Sequence, residues 1–162
     1  MSEIDRLLDG LRRAHEGPAW HGPALAELLR DVDPATAAGR PLPGAHSIWE
    51  IVLHLTAWTR EVARRLQGHP AGAPPEGDWP EVGPPSAECW SAARADLAAA
   101  HAELGRALGA FPEHRLDEPA GTPGDATPGV TYAVMLSGLL QHDAYHGGQI
   151  ALLKKVARTA GG

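Results

Sequence analysis

The chain has 162 residues, a formal charge of -6 and a single cysteine, Cys89. That length fits one domain of residues 1–162 with its own buried core. The acidic balance argues against a nucleic-acid partner, because such proteins present a basic face to phosphates, and a lone cysteine allows no intrachain disulfide. No signal-peptide pattern opens the chain and no apolar run reaches the roughly 20 residues that span a bilayer, so we expect a cytoplasmic protein without a membrane partner.

Four segments of the chain are free of proline. All 15 prolines lie outside the windows 1–17, 47–69, 86–111 and 129–162. Proline is costly inside a helix, since it removes a hydrogen-bond donor and clashes with the preceding turn. The windows therefore predict four long helices.

The first window carries a narrow apolar stripe with helical spacing, and Ser2 with Asp5 forms a capping-box pattern at its start. The stripe comprises Ile4, Leu7, Leu8 and Leu11. Two short helices are predicted after it, one over the leucines of residues 25–29 and one that begins at Asp33 and Pro34, a cap followed by a helix-starting proline.

The remaining windows show the same periodicity. The second begins at a capping box formed by Ser47 and Glu50 and ends before Gly68. The third begins near Ser86, and the fourth runs from about Thr131 to about Arg158. The connections 68–85 and 112–130 are rich in proline and glycine, and we expect them to lie outside the core. No strand-like alternation is sustained, so the sequence predicts an all-α, four-helix bundle.

Three histidines suggest a metal site. His142 and His146 are four residues apart in the fourth helix, so both rings leave one face, and that face is apolar. Buried imidazoles need partners for their nitrogens, and one metal ion would serve both. His54 lies on the buried edge of the second helix and would complete the three-histidine set of an open catalytic site. The alternative is a pair of hydrogen-bonded core histidines.

Other titratable residues are candidates for supporting roles. Asp143 could orient a ligating imidazole one turn away, and Glu50 or Glu61, which flank His54 on its helix, could carry a proton for a metal-bound water. Solvated helix carboxylates are the alternative for all three. His101 is a reserve ligand or a packed core histidine, whereas His15 lies near a helix end, where solvation explains it.

The motifs resemble those of the DinB/YfiT-like superfamily of metal-binding four-helix bundles. The resemblance is carried by the segment from Ser47 to His54 with Trp58 after it, by the segment from Met135 to Ile150, and by Trp20-His-Gly-Pro23. It covers nearly the whole chain. It implies an up-down-down-up bundle that often dimerises, with His54, His142 and His146 as the metal ligands.

The same resemblance implies a class of chemistry. Members bind zinc, nickel or related divalent ions, and those with known reactions include hydrolases and transferases or isomerases that use low-molecular-weight thiols. We therefore expect one divalent ion, a small-molecule substrate, a thiol co-substrate or water, and a homodimer. An open metal position would lower the pKa of a bound water or thiol. The competing interpretation is a noncatalytic bundle that a metal stabilises or that holds a ligand.

Overall fold

A computed structural model describes residues 1–121 and 129–160, which form six α-helices and one 3-10 turn without strands. The helices are α1 (Glu3–Glu16), α2 (Leu25–Leu29), α3 (Pro34–Ala38), α4 (Ile48–Leu66), α5 (Ala87–Gly109) and α6 (Tyr132–Ala160), and the 3-10 turn is Glu113–Arg115. The predicted all-α bundle with short helices after the first long one is confirmed. Residues 122–128 of the predicted second loop and residues 161–162 of the fourth window lie outside the described residues.

The predicted helix starts coincide with hydrogen-bonded caps. The Ser2 hydroxyl accepts a hydrogen bond from the backbone N–H of Asp5, and the Asp5 carboxylate accepts one from Ser2. Ser47 and Glu50 form the same reciprocal pair at the start of α4. These caps satisfy N–H groups that a helix leaves without internal partners, which explains why the boundaries could be located from sequence.

Two clusters of buried side chains fix the direction of the four long helices. The first cluster combines the C-terminal halves of α4 and α5 with the N-terminal halves of α1 and α6, as Val62, Leu108 and Leu136 illustrate. The second combines the N-terminal halves of α4 and α5 with the C-terminal half of α6, as Ile51 and Ile150 illustrate. Consequently α1 and α6 run one way, α4 and α5 run the other, and the order is up-down-down-up.

Because α4 and α5 are parallel neighbours, their connection must return along the length of the bundle. It passes over the middle of α4, where Trp79 packs against the second cluster. The expectation that this loop lies outside the core is therefore wrong. It is also wrong for part of the connection 112–130, since Leu116 and Ala120 are buried in the first cluster.

Among the described residues, no helix combines the length and the apolarity needed to cross a bilayer.

Candidate metal centre

His54, His142 and His146 meet between α4 and α6. One ligand nitrogen from each lies within 4.8 Å of the others. The Nε2 atoms of His54 and His142 are 2.9 Å apart. Two nitrogens bonded to one tetrahedral zinc ion at about 2.0–2.1 Å lie roughly 3.3 Å apart, so the two rings, now joined by a hydrogen bond, are close to the spacing of a common ion. No other described group of three or more histidine, cysteine or acidic side chains meets this test.

The outer nitrogens of two rings have oxygen partners. The Nδ1–H of His54 donates to the backbone carbonyl of Asp78 at 2.6 Å, and the Nδ1–H of His146 donates to Oε1 of Gln149 at 2.7 Å. An oxygen acceptor places the proton on Nδ1, so the lone pair of Nε2 is directed toward the centre. Metal-ligating histidines in proteins nearly always have such a partner.

Burial favours the neutral, metal-binding form of two of these imidazoles, those of His142 and His146. Burial, together with the neighbouring His146 and His54, lowers the pKa of His142 to about 4. Burial also lowers the pKa of His146, although the hydrogen bond to Gln149 opposes the shift. Neutral imidazoles with inward lone pairs are the donor set that a first-row divalent cation requires.

The returning loop completes the centre beside the His54 ring. Trp79 stacks between two imidazoles, with its ring centroid 4.0 Å from that of His54 and 3.5 Å from that of His46. Asp78 accepts a hydrogen bond from Nε1 of Trp58 at 2.7 Å through its carboxylate, which also lies 3.3 Å from Nδ1 of His54. The loop therefore fixes both the face and the outer edge of the His54 ring.

A cavity of about 390 Å³ opens beside His54 and His142. Its wall is mostly apolar, and its polar boundary is formed by the two histidines, Asp78 and Arg65. A pocket of this size and composition is typical of a small-molecule site. The ligand set thus has an accessible side on which a fourth ligand can bind.

The three carboxylates predicted as helpers lie elsewhere. Glu50 caps α4 and pairs with Arg40. Glu61 is buried and engaged by Nε of Arg65 at 2.8 Å, by the N–H of Gly72 and by Arg64. Both are held by local partners rather than directed into the cavity.

Asp143 leaves α6 on a neighbouring face and approaches His101 of α5. Its carboxylate is 3.7 Å from Nε2 of His101, and neither carboxylate oxygen has a hydrogen-bond partner among the described residues. Burial raises its pKa to about 7. The prediction that Asp143 orients His146 is wrong, because the two residues leave α6 about 60 degrees apart and Gln149 occupies the outer nitrogen of His146.

Three residues that support the centre were not predicted. Asp78 and Trp79 lie in a loop with no periodic relation to His54, and the only sequence signal was an isolated aromatic residue in a proline-rich segment. Gln149 could have been found, because it lies three residues after His146 on the same face of a helix.

Comparison with known proteins gave one match. A sequence model of the DinB superfamily matches residues 19–150, which include α2 to α5, most of α6 and all three histidines. No curated protein and no solved structure matches the chain significantly.

Proposed function

For this chain, which belongs to the DinB superfamily, we propose a metal-dependent enzyme of the thiol S-transferase type. The observation that carries the proposal is the convergence of His54, His142 and His146 beside an apolar cavity. These residues would hold one divalent ion, zinc or nickel, and the ion, when bound, would lower the pKa of a thiol or a water that reaches it.

The chain's own residues have definable tasks in this reaction. Asp78 and Gln149 keep two imidazoles oriented through their Nδ1 hydrogens. Trp58, Met135 and Leu139 give the cavity an apolar wall beside the reacting groups. The half-exposed carboxylate of Asp78 lies on the cavity wall and can accept the thiol proton on its way to solvent.

A small-molecule thiol is preferred over a protein thiol as the nucleophile. The only cysteine, Cys89, is exposed in the first turn of α5 and does not line the cavity. Hydrolysis remains the second reaction type that the same centre would support, with water in place of the thiol.

The test is cobalt substitution followed by titration with glutathione or 2-mercaptoethanol. We expect about one cobalt per chain and a sulfur-to-cobalt charge-transfer band when the thiol is added. A cobalt spectrum that responds to neither thiol nor hydroxide would favour the noncatalytic bundle. A response to hydroxide alone would favour the hydrolase, and failure to bind any divalent ion would refute the proposal as a whole.

A further inference from the structure

The cavity beside the histidines is elongated. Along α4 its lining residues are His54, Trp58, Val62 and Arg65, which recur every three or four residues on one face of the helix. Along the antiparallel α6 they are His142, Leu139, Gly138 and Met135. The cavity therefore follows the groove between the two helices, with the histidines at one end and Arg65 at the other.

The two ends are separated by a distance that a small molecule can span. Eleven residues from His54 to Arg65 correspond to roughly 16 Å of helix axis, and the span between functional groups is shorter, since the Arg65 side chain turns back toward Glu61. Between the ends, the groove is walled by Trp58, Val62, Met135 and Leu139, which offer no charge.

Arg65 supplies a cation at the far end. Its Nε donates to Glu61 and its Nη2 donates to the carbonyl of Gly72 at 2.7 Å, which fixes the guanidinium in place. Nη1 donates to no group among the described residues. The charge of Glu61 is shared with Arg64, at 3.5 Å, so the three side chains together retain a positive charge. A guanidinium that is held rigidly and keeps free donors is well suited to bind a carboxylate.

We infer that the substrate is an elongated molecule with an apolar middle and an anionic, carboxylate-like end that binds Arg65. This inference rests on the proposed function. Its reactive end lies at the histidines. A compact or cationic substrate would leave either the groove or the guanidinium without a complementary group.

The zinc-loaded protein can be tested with alkyl hydroxamates of increasing chain length, each ending in a carboxylate or in the matched methyl ester. The hydroxamate binds zinc, the chain follows the groove, and the terminal group reports on Arg65. We expect the acid to bind about tenfold to a hundredfold more tightly than its ester once the chain spans the groove, and equally when it is shorter. Equal binding of acid and ester at every length would overturn the inference.

Three variants locate the effect. Arg65→Gln should abolish the difference between acid and ester, whereas Arg64→Gln, which alters the neighbouring partner of Glu61 outside the cavity lining, should retain it. Gly138→Leu places a side chain in open space on the groove wall and should weaken long hydroxamates while short ones still bind. Retention of the difference in Arg65→Gln would also overturn the inference.

Failure of the inferred substrate class can be distinguished from failure of the proposed function. Acetohydroxamate needs only the metal, so its binding to the zinc-loaded protein tests the ion and its open position. If acetohydroxamate binds and the carboxylate adds nothing, the substrate class is wrong while the metal centre stands. If the protein takes up no zinc, the proposed function itself fails.

Discussion

Two clusters of titratable side chains lie on neighbouring faces of α6, and they differ in how their polar atoms are satisfied. On one side His54, His142 and His146 direct nitrogens toward a common point. On the other, His101 is near Asp143 and stacks face to face on His15, with ring centroids 4.0 Å apart. Adjacent residues of one helix thus belong to two very different environments.

The two clusters differ in the hydrogen-bond partners of their polar side-chain atoms. The rings of His54 and His146 have an oxygen acceptor on Nδ1 and an inner nitrogen that faces the other imidazoles, which is the arrangement of a metal ligand. Nδ1 of His15, Nε2 of His101 and both oxygens of Asp143 are buried without hydrogen-bond partners within residues 1–121 and 129–160. Stacked parallel rings direct their lone pairs side by side rather than at one point. Burial of several polar residues is therefore weak evidence for a site, whereas convergence with oriented outer partners is strong evidence.

Removal of one of the three histidines should have the largest effect on metal binding. His54→Ala, His142→Ala and His146→Ala should each lose nearly all bound metal, measured by elemental analysis after dialysis against a weak chelator. Any double substitution should cost little more affinity than the worst single one, because the ligands act as a unit. His101→Ala, from the other cluster, should keep its metal. Stoichiometric metal in His54→Ala would remove that residue from the centre.

A smaller effect should follow from loss of the outer contacts. Asp78→Ala removes the carboxylate that anchors Trp58 and contacts His54, and Gln149→Leu removes the acceptor of His146. Each should weaken zinc binding about 10-fold to 100-fold, measured by competition with a fluorescent chelator.

Exposed positions provide the controls for these two variants. Asp117→Ala and Gln141→Leu make the same chemical changes at exposed residues and should leave zinc affinity unchanged. If Asp78→Ala and Gln149→Leu match their controls, neither the carboxylate of Asp78 nor the side-chain amide of Gln149 helps to hold the ligands.

The cluster of His15, His101 and Asp143 should affect the free energy of unfolding rather than metal binding. Burial lowers the pKa of His101 to about 3, with a further contribution from His15. The unfolded chain takes up that proton near pH 6.5, so it binds more protons than the folded chain between about pH 6.5 and pH 3. The free energy of unfolding therefore falls as the pH drops through this window, and His101→Leu should lose less stability on acidification than the wild type.

The contribution of Asp143 to the pH dependence of stability should have the opposite sign. Its pKa is raised to about 7, so the folded chain binds more protons than the unfolded chain between about pH 4 and pH 7. This contribution stabilises the protein as the pH falls, and Asp143→Asn should lose more stability than the wild type between pH 7 and pH 4. Urea unfolding of the metal-free proteins at both pH values measures the two effects. If the free energy of unfolding changes equally with pH in the wild type and in both variants, the ionisation of this cluster is not coupled to folding.

Local signals in the sequence were sufficient for the helices. Capping residues such as Ser2 and Ser47 act within a single turn, and the absence of proline marks the helical windows, so helix starts were located almost to the residue. The histidine set was also accessible, because the spacing of His142 and His146 places them on one face.

Contacts between distant segments were not accessible in this way. The positions of Asp78 and Trp79 depend on α4 and α5 being parallel, since only then must their connection return over His54. The environment of His15 depends on α1 packing against α5, which buries a residue expected to be solvated. Asp143 was misassigned because adjacent residues on a helix point 100 degrees apart, and only the packing decides which of them faces the centre.

The central claim is that three imidazoles hold one ion with a position left open toward the cavity. X-ray absorption spectroscopy of the zinc-loaded protein tests it directly. We predict scattering from three imidazole rings and one further light atom, with that atom replaced by sulfur when glutathione is added. Fewer than three imidazoles, or a fourth protein ligand that no added thiol displaces, would contradict the account.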